Sequence, residues 1–114
     1  MSSGLLTLLL GYLLYSRLLP QIAETSHTDE LTQLVNRSLF MERAKVLLAD
    51  AEERHAEMVF AILDIDHFKR VNDTHGHDTG DRVIYAIGET LARITNDNCH
   101  VARQGGEEFV MLFR

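Results

Sequence analysis

The stretch RQGGEEFVMLF, residues 103–113, constrains the fold more than any other part of the chain. Two adjacent glycines between strand-like runs signal a tight hairpin, because the primed turns need positive φ. Side chains alternate faces along the outgoing strand. Glu107 therefore shares a face with Phe109 and Met111, and Glu108 shares the other with Val110 and Leu112. Both faces are apolar, so this strand is expected inside a sheet covered on both sides. Two carboxylates at the mouth of such a strand are costly unless compensated. A divalent cation would compensate at least one of them.

A second apolar run, MVFAILDI at 58–65, is expected to be another central strand, buried on both faces and ending at Asp64. If the two strands are antiparallel neighbours, Asp64 and Glu107 converge at one edge of the sheet. Two oxygen ligands with open positions left for water and phosphate suit Mg²⁺, and phosphoryl- and nucleotidyl-transfer enzymes hold metal in this way. The plainer alternative is that Asp64 caps the next helix while Glu107 pairs with Arg103.

Between the two runs, DIDHFKRVNDTHGHDTGD (64–81) reads as a nucleotide pocket. Lys69 meets a phosphate as a point charge. Backbone N–H groups at a helix start near His67 and Phe68 cradle phosphates. Asn72 offers donor and acceptor atoms, and Asp81 is acceptor-only. A carboxylate takes the ring N–H and amino protons of guanine together while an amide serves its O6/N7 edge, a pairing adenine does not offer. For either residue alone, helix capping is the commoner role. Asp64-x-Asp66 resembles the start of a calcium loop, but Phe68 stands where a third oxygen is needed. His67, His75 and His77 lack the further ligands of a structural zinc site.

Helices are expected at Arg37–Arg54, with a stripe of Phe40, Ala44, Leu47, Leu48 and Ala51, at 66–74, and from Thr79, with a stripe of Ile84, Ile87, Leu91 and Ile94. Asp81 falls in the first turn of the last of these, where a negative charge suits the dipole. Thr28-Asp29-Glu30 offers N-cap chemistry for the next helix. HVAR, 100–103, supplies the strand entering the hairpin. A length of 114 residues with 46% hydrophobic content bounds the chain to one domain. Its net charge of −6 argues against a nucleic-acid partner, which would want a basic face. Cys99 is the single cysteine, so no intrachain disulfide forms.

The start, GLLTLLLGYLLYSRLLP, carries no charged side chain before Arg17. It is too short for a full crossing, which needs roughly 20 apolar residues. Three readings stand: the cytoplasmic end of a transmembrane helix, a short anchor or interfacial helix, or a helix packed on a partner. Pro20 ends or kinks it. The expected organisation is an apolar segment over 1–19, a linker or coupling helix over 20–34, and a catalytic-type domain over 35–114.

DELTQLVNR (29–37), DIDHFKRVNDTHGHDTGD (64–81) and RQGGEEF (103–109) together resemble the GGDEF family of diguanylate cyclases, in family order and spacing. The resemblance implies an α/β (α+β) fold: a palm-like, nucleotidyl-cyclase-type central antiparallel sheet flanked by helices, incomplete here and preceded by the apolar helix. It implies condensation of two GTP molecules to cyclic di-GMP with release of pyrophosphate. By resemblance, the side chains of Asp64 and Glu107 and the carbonyl of Ile65 bind Mg²⁺, with Mn²⁺ as an alternative ion. Asn72 and Asp81 read guanine. Lys69 and main chain around Phe68 hold phosphates, and Gly105 and Gly106 leave room for the nucleotide. Glu108 adjoins the reacting centre, with its role as base or organiser open. Each half-site holds one GTP, so a homodimer is implied, controlled by an upstream sensor or membrane segment. The implied location is cytoplasmic, attached to the inner membrane by the N-terminal segment.

This sequence departs from the family pattern at several points. Gln33 and Val35 replace a common Gly and Pro, and Gln104 stands where an aromatic is frequent. The product-inhibition motif Arg-x-x-Asp is absent, its positions being Asn96 and Cys99, so feedback there is expected to be lost. The family domain continues past Arg114 with further elements, including a later Lys/Arg pair, so the chain is expected to be a fragment of a longer protein. The alternative is a catalytically inactive or truncated module that binds GTP or pairs with another GGDEF protein. A weaker third reading is a related purine-nucleotide palm that prefers ATP.

Overall fold

The computed structural model describes residues 4–14 and 27–114. Residues 4–14 form a helix, α1, with every side chain exposed. No helix among the described residues is long and apolar enough to cross a membrane. The kink expected at Pro20 and the coupling segment over 20–26 lie outside the described residues. Residues 27–34 form a turn rather than a continuing helix.

From there the elements are β1 (Val35–Asn36), α2 (Arg37–Glu53), β2 (Val59–Asp64), α3 (Phe68–His75), α4 (His77–Ile94), β3 (Cys99–Gly105) and β4 (Glu108–Phe113). They build a four-stranded sheet in the order β1-β3-β4-β2. The β3–β4 and β2–β4 pairs are antiparallel, whereas the short β1 pairs parallel to β3. The expected antiparallel sheet flanked by helices is thus present, with one short parallel strand added.

The alternation of β4 splits the core into two. Phe109 joins Leu34, Phe68, Ile84, Leu91 and Val101 on the α3–α4 face. Val110 and Leu112 join Phe40, Ala44 and Ala102 on the α2 face. Phe109 and Leu112 are completely enclosed, so β4 is buried on both faces as its pattern required.

β2 corrects the expectation of a second central strand. It pairs with β4 alone and occupies the sheet edge. Val59, Phe60 and Ile62 are exposed. No residue of β2 is buried, so the expected burial on both faces is absent as well: an edge strand has a neighbour on one side only to help cover it.

Asn36, not the Thr28–Glu30 stretch, caps α2: its Oδ1 accepts from Leu39 N at 3.1 Å. Phe40, Ala44 and Ala51 are buried on α2, while Leu48 lies on the exposed side. α4 begins two residues earlier than expected. Asp78 therefore holds the first turn, and Asp81 sits one turn in, away from the dipole's positive end. Ile84 and Leu91 are buried and Ile87 partly so, but Ile94 is exposed at the helix end.

Candidate active site

The hairpin and the end of β2 are locked by one backbone bond. Asp64 stands opposite Glu108 in the β2–β4 register. One residue on, Ile65 N donates to the Glu107 carbonyl at 3.2 Å. Glu107 lies in the turn itself, because β4 starts at Glu108. The result is an open depression of about 380 Å³ lined by Asp64, Ile65 and Glu107 on the sheet side and by Asp66, His67, Phe68 and Lys69 at the start of α3. A larger hollow, about 450 Å³, lies between His27 and the start of α2 and holds none of the candidate residues.

The side chains of Asp64, Glu107 and Lys69 make no hydrogen bond or ion pair with any other described residue. The plainer alternative therefore fails. The cap position of α3 belongs to His67, in the left-handed region with φ 57°, and no side chain caps the helix. Arg103 binds Asp29 and the Gly106 carbonyl, not Glu107.

The candidate ligands among the lining residues, the Asp64 and Glu107 carboxylates and the Ile65 carbonyl, offer oxygen only, which fits a hard divalent cation; Asp66 and His67 line the same depression. No group of three His, Cys, Asp or Glu side chains poised for a metal occurs among the described residues. An ion held here would therefore depend on that main-chain oxygen, on water and on substrate oxygens, as Mg²⁺ commonly does.

Asn72 and Asp81 lie outside the depression, on α3 and α4. Asn72 packs against Gly80, the residue before Asp81 in sequence. A Cβ at Gly80 would collide with Asn72 Oδ1, so the amide packs onto the α4 backbone. That Oδ1 is buried and lacks a partner.

Gly105 and Gly106 adopt φ of 149° and 50°. A Cβ at either would meet nothing within 4 Å. Glycine is required there by backbone angle, and the space over the turn is open. Glu108 is exposed and lies outside the depression.

Sequence reasoning missed the ion pair behind the hairpin. Arg103 Nη1 lies 3.1 and 3.2 Å from the two Asp29 oxygens. Asp29 Oδ2 also accepts from Thr32 N at 2.9 Å and Thr32 Oγ1 at 2.7 Å. Burial alone would push the Asp29 carboxyl up, but the Thr32 bonds and the Arg103 guanidinium together hold it below its ordinary value. The only sequence signal was the Asp-x-x-Thr spacing of a side-chain turn.

A small sheet with helices on both faces, and an acidic strand end opening onto the start of a helix that carries Lys69, defines a palm-like α+β domain. Residues 26–114 match the family described as "Diguanylate cyclase, GGDEF domain", and the chain belongs to that family. It is 44% identical over 85 residues to the diguanylate cyclase DgcP of Pseudomonas aeruginosa, covering 75% of this chain and 13% of that one. The crystal structure of the GGDEF domain of DgcB from Caulobacter crescentus in complex with c-di-GMP superposes with a TM-score of 0.73 at 46% identity, over 76% of this chain and 49% of that one. The structure of the coiled coil and GGDEF domain of the same protein gives a TM-score of 0.74 at 37% identity, over 98% of this chain and 59% of that one. The chain thus spans only part of the proteins it matches.

Proposed function

We propose that the protein is a diguanylate cyclase, in which this chain supplies the metal-binding and guanine-reading part of the site and two GTP molecules are joined to cyclic di-GMP with release of pyrophosphate. The observation that carries this reading is the meeting of Asp64 and Glu107, remote in sequence, in one depression that also takes in Lys69 and the start of α3. Asp64 and Glu107 hold Mg²⁺ by side chain and Ile65 by its carbonyl, with Mn²⁺ as a substitute. When bound, the ion neutralises charge on the substrate phosphates.

Lys69 and the main chain around Phe68 bind the phosphates. Asn72 and Asp81 orient guanine, the Asn72 amide N–H group donating to the O6/N7 edge and the Asp81 carboxylate accepting from the ring N–H and amino group. The open space over Gly105 and Gly106 admits the nucleotide. Glu108 adjoins the reacting centre as base or organiser. The chemistry is attack of a 3′-hydroxyl on an α-phosphate, and the protein contributes mostly positioning and charge complementarity.

One GTP per site requires two protomers facing each other, with the segment ahead of residue 35 coupling that geometry to an upstream sensor. The exposed leucines of α1 fit attachment to the inner face of the plasma membrane, leaving the GGDEF domain, 35–114, in the cytoplasm. Asn96 and Cys99 face each other as a bridged pair but carry neither the Arg nor the Asp of the inhibition motif. Product feedback at that place is accordingly absent.

Incubation of the full-length protein with GTP and Mg²⁺ tests the reading: cyclic di-GMP is expected, and Glu107→Ala abolishes it while the fold persists. Product formation that survives Glu107→Ala rejects the metal assignment. GTP binding without any product supports the non-catalytic module instead.

A further inference from the structure

Glu107 is held from both sides. The carbonyl of the peptide bond before it, Gly106 O, accepts from Arg103 Nε at 3.2 Å and Nη2 at 2.8 Å. Its own carbonyl accepts from Ile65 N. Turning Glu107 about its Cα would break one of these bonds. Packing does not hold this turn, because no atom lies within 4 Å of a Cβ built on Gly105 or Gly106.

Arg103 cannot follow a moving turn, since its remaining nitrogen is fixed on the Asp29 carboxylate, which Thr32 fixes in turn. The two side chains are only 15% and 21% exposed, so water competes weakly for the pair. A register irregularity between Arg103 and Gly105 bends β3 at this place, which lets one guanidinium reach both the turn and the 27–36 segment.

We propose that Arg103 is a positioning residue: anchored on Asp29, its guanidinium fixes the Gly106–Glu107 peptide and so aims the Glu107 carboxylate into the depression. The inference rests on the reading of Glu107 as a ligand of the divalent cation. It also gives residues 27–36 a direct mechanical line to that ligand. A planar fork is needed to serve both partners, and a lysine ammonium serves one at a time.

The test is Mn²⁺ titration of the full-length protein, with free ion followed by electron paramagnetic resonance. Arg103→Met keeps the apolar stem and removes every donor. It is expected to weaken Mn²⁺ binding about tenfold, the scale seen when outer support of a metal ligand is lost. Arg103→Lys is expected to fall between that variant and wild type, and amide exchange at Gly106–Glu108 is expected to rise in both. Thermal unfolding establishes that each variant is folded, and Asp29→Asn replaces Arg103→Met if the latter is not. A folded variant with wild-type Mn²⁺ affinity, alongside lost binding in Glu107→Ala, overturns the positioning role and leaves the functional reading standing. Mn²⁺ binding indifferent to Glu107→Ala overturns the functional reading, and the positioning role with it.

Discussion

Asp64 and Glu108 stand directly opposite each other across the β2–β4 ladder, two carboxylates in cross-strand register at the end of the sheet where Glu107 also lies. Like charges so placed are destabilising by a few tenths of a kcal/mol. A bound cation would reverse that sign. Glu108→Gln is therefore expected to raise the Tm slightly in EDTA. Saturating Mg²⁺ is expected to stabilise the wild type, by about 2.7 kcal/mol at a hundredfold excess over Kd. Differential scanning calorimetry of wild type and Glu107→Ala, with and without Mg²⁺, checks this. An equal Mg²⁺ effect in both proteins contradicts an ion at Glu107.

Gly80 lets Asn72 reach its place against α4, since any Cβ there collides with the amide. Gly80→Ala is expected to cost about 1–3 kcal/mol through overpacking and to swing the Asn72 side chain out of its place against α4. GTP affinity should then fall while Mn²⁺ affinity in the depression stays near wild type, because neither residue lines it. Isothermal titration with each ligand separates the two effects. Loss of both affinities together would place Asn72 in the metal site rather than in base recognition.

How far the sequence revealed this site depends on whether a feature is local. The alternation of 107–112 was enough to bury β4 on both faces, and the Gly-Gly pair marked the turn. The convergence of Asp64 and Glu107 came from assuming that two apolar strands pair antiparallel, as they do. The edge position of β2 was hidden, because side-chain periodicity is blind to lateral order in a sheet. The bond between Asp29 and Arg103 joins residues 74 positions apart and leaves no periodic trace. The true start of α4 escaped for a different reason: with no side chain capping the helix, its beginning had no local mark.

Gln33 adopts a φ of 62°. Left-handed backbone costs an L side chain roughly 1 kcal/mol. The Gln33 side chain recovers part of this by donating from Nε2 to the Glu30 carbonyl at 2.8 Å. Gln33→Gly is expected to be neutral to stabilising by up to about 1 kcal/mol, whereas Gln33→Val, β-branched at positive φ, is expected to destabilise by more than that. Urea unfolding at neutral pH ranks the three proteins. A Gly variant less stable than wild type would mean that the Glu30 bond outweighs the backbone strain.

The Asp29 carboxyl is held below its ordinary value of 3.8 in the folded protein, despite burial that acts the other way. A group whose folded pKa is depressed contributes stability that is fully present above the unfolded value and is lost as pH falls through the folded one. The contribution is therefore complete at neutral pH and declines only below about pH 4. Asp29→Asn retains an acceptor for Thr32 but gives up the charge facing Arg103, so it is expected to cost on the order of 2 kcal/mol at pH 7. Because other carboxylates titrate in the same acid range, the informative quantity is the difference between wild type and Asp29→Asn, measured by urea unfolding from pH 7 to pH 3. That difference should stay constant down to about pH 4 and shrink below it. A difference that already narrows between pH 7 and pH 5 would show that Asp29 titrates above its ordinary range, and that burial rather than its Thr32 and Arg103 partners governs the pair.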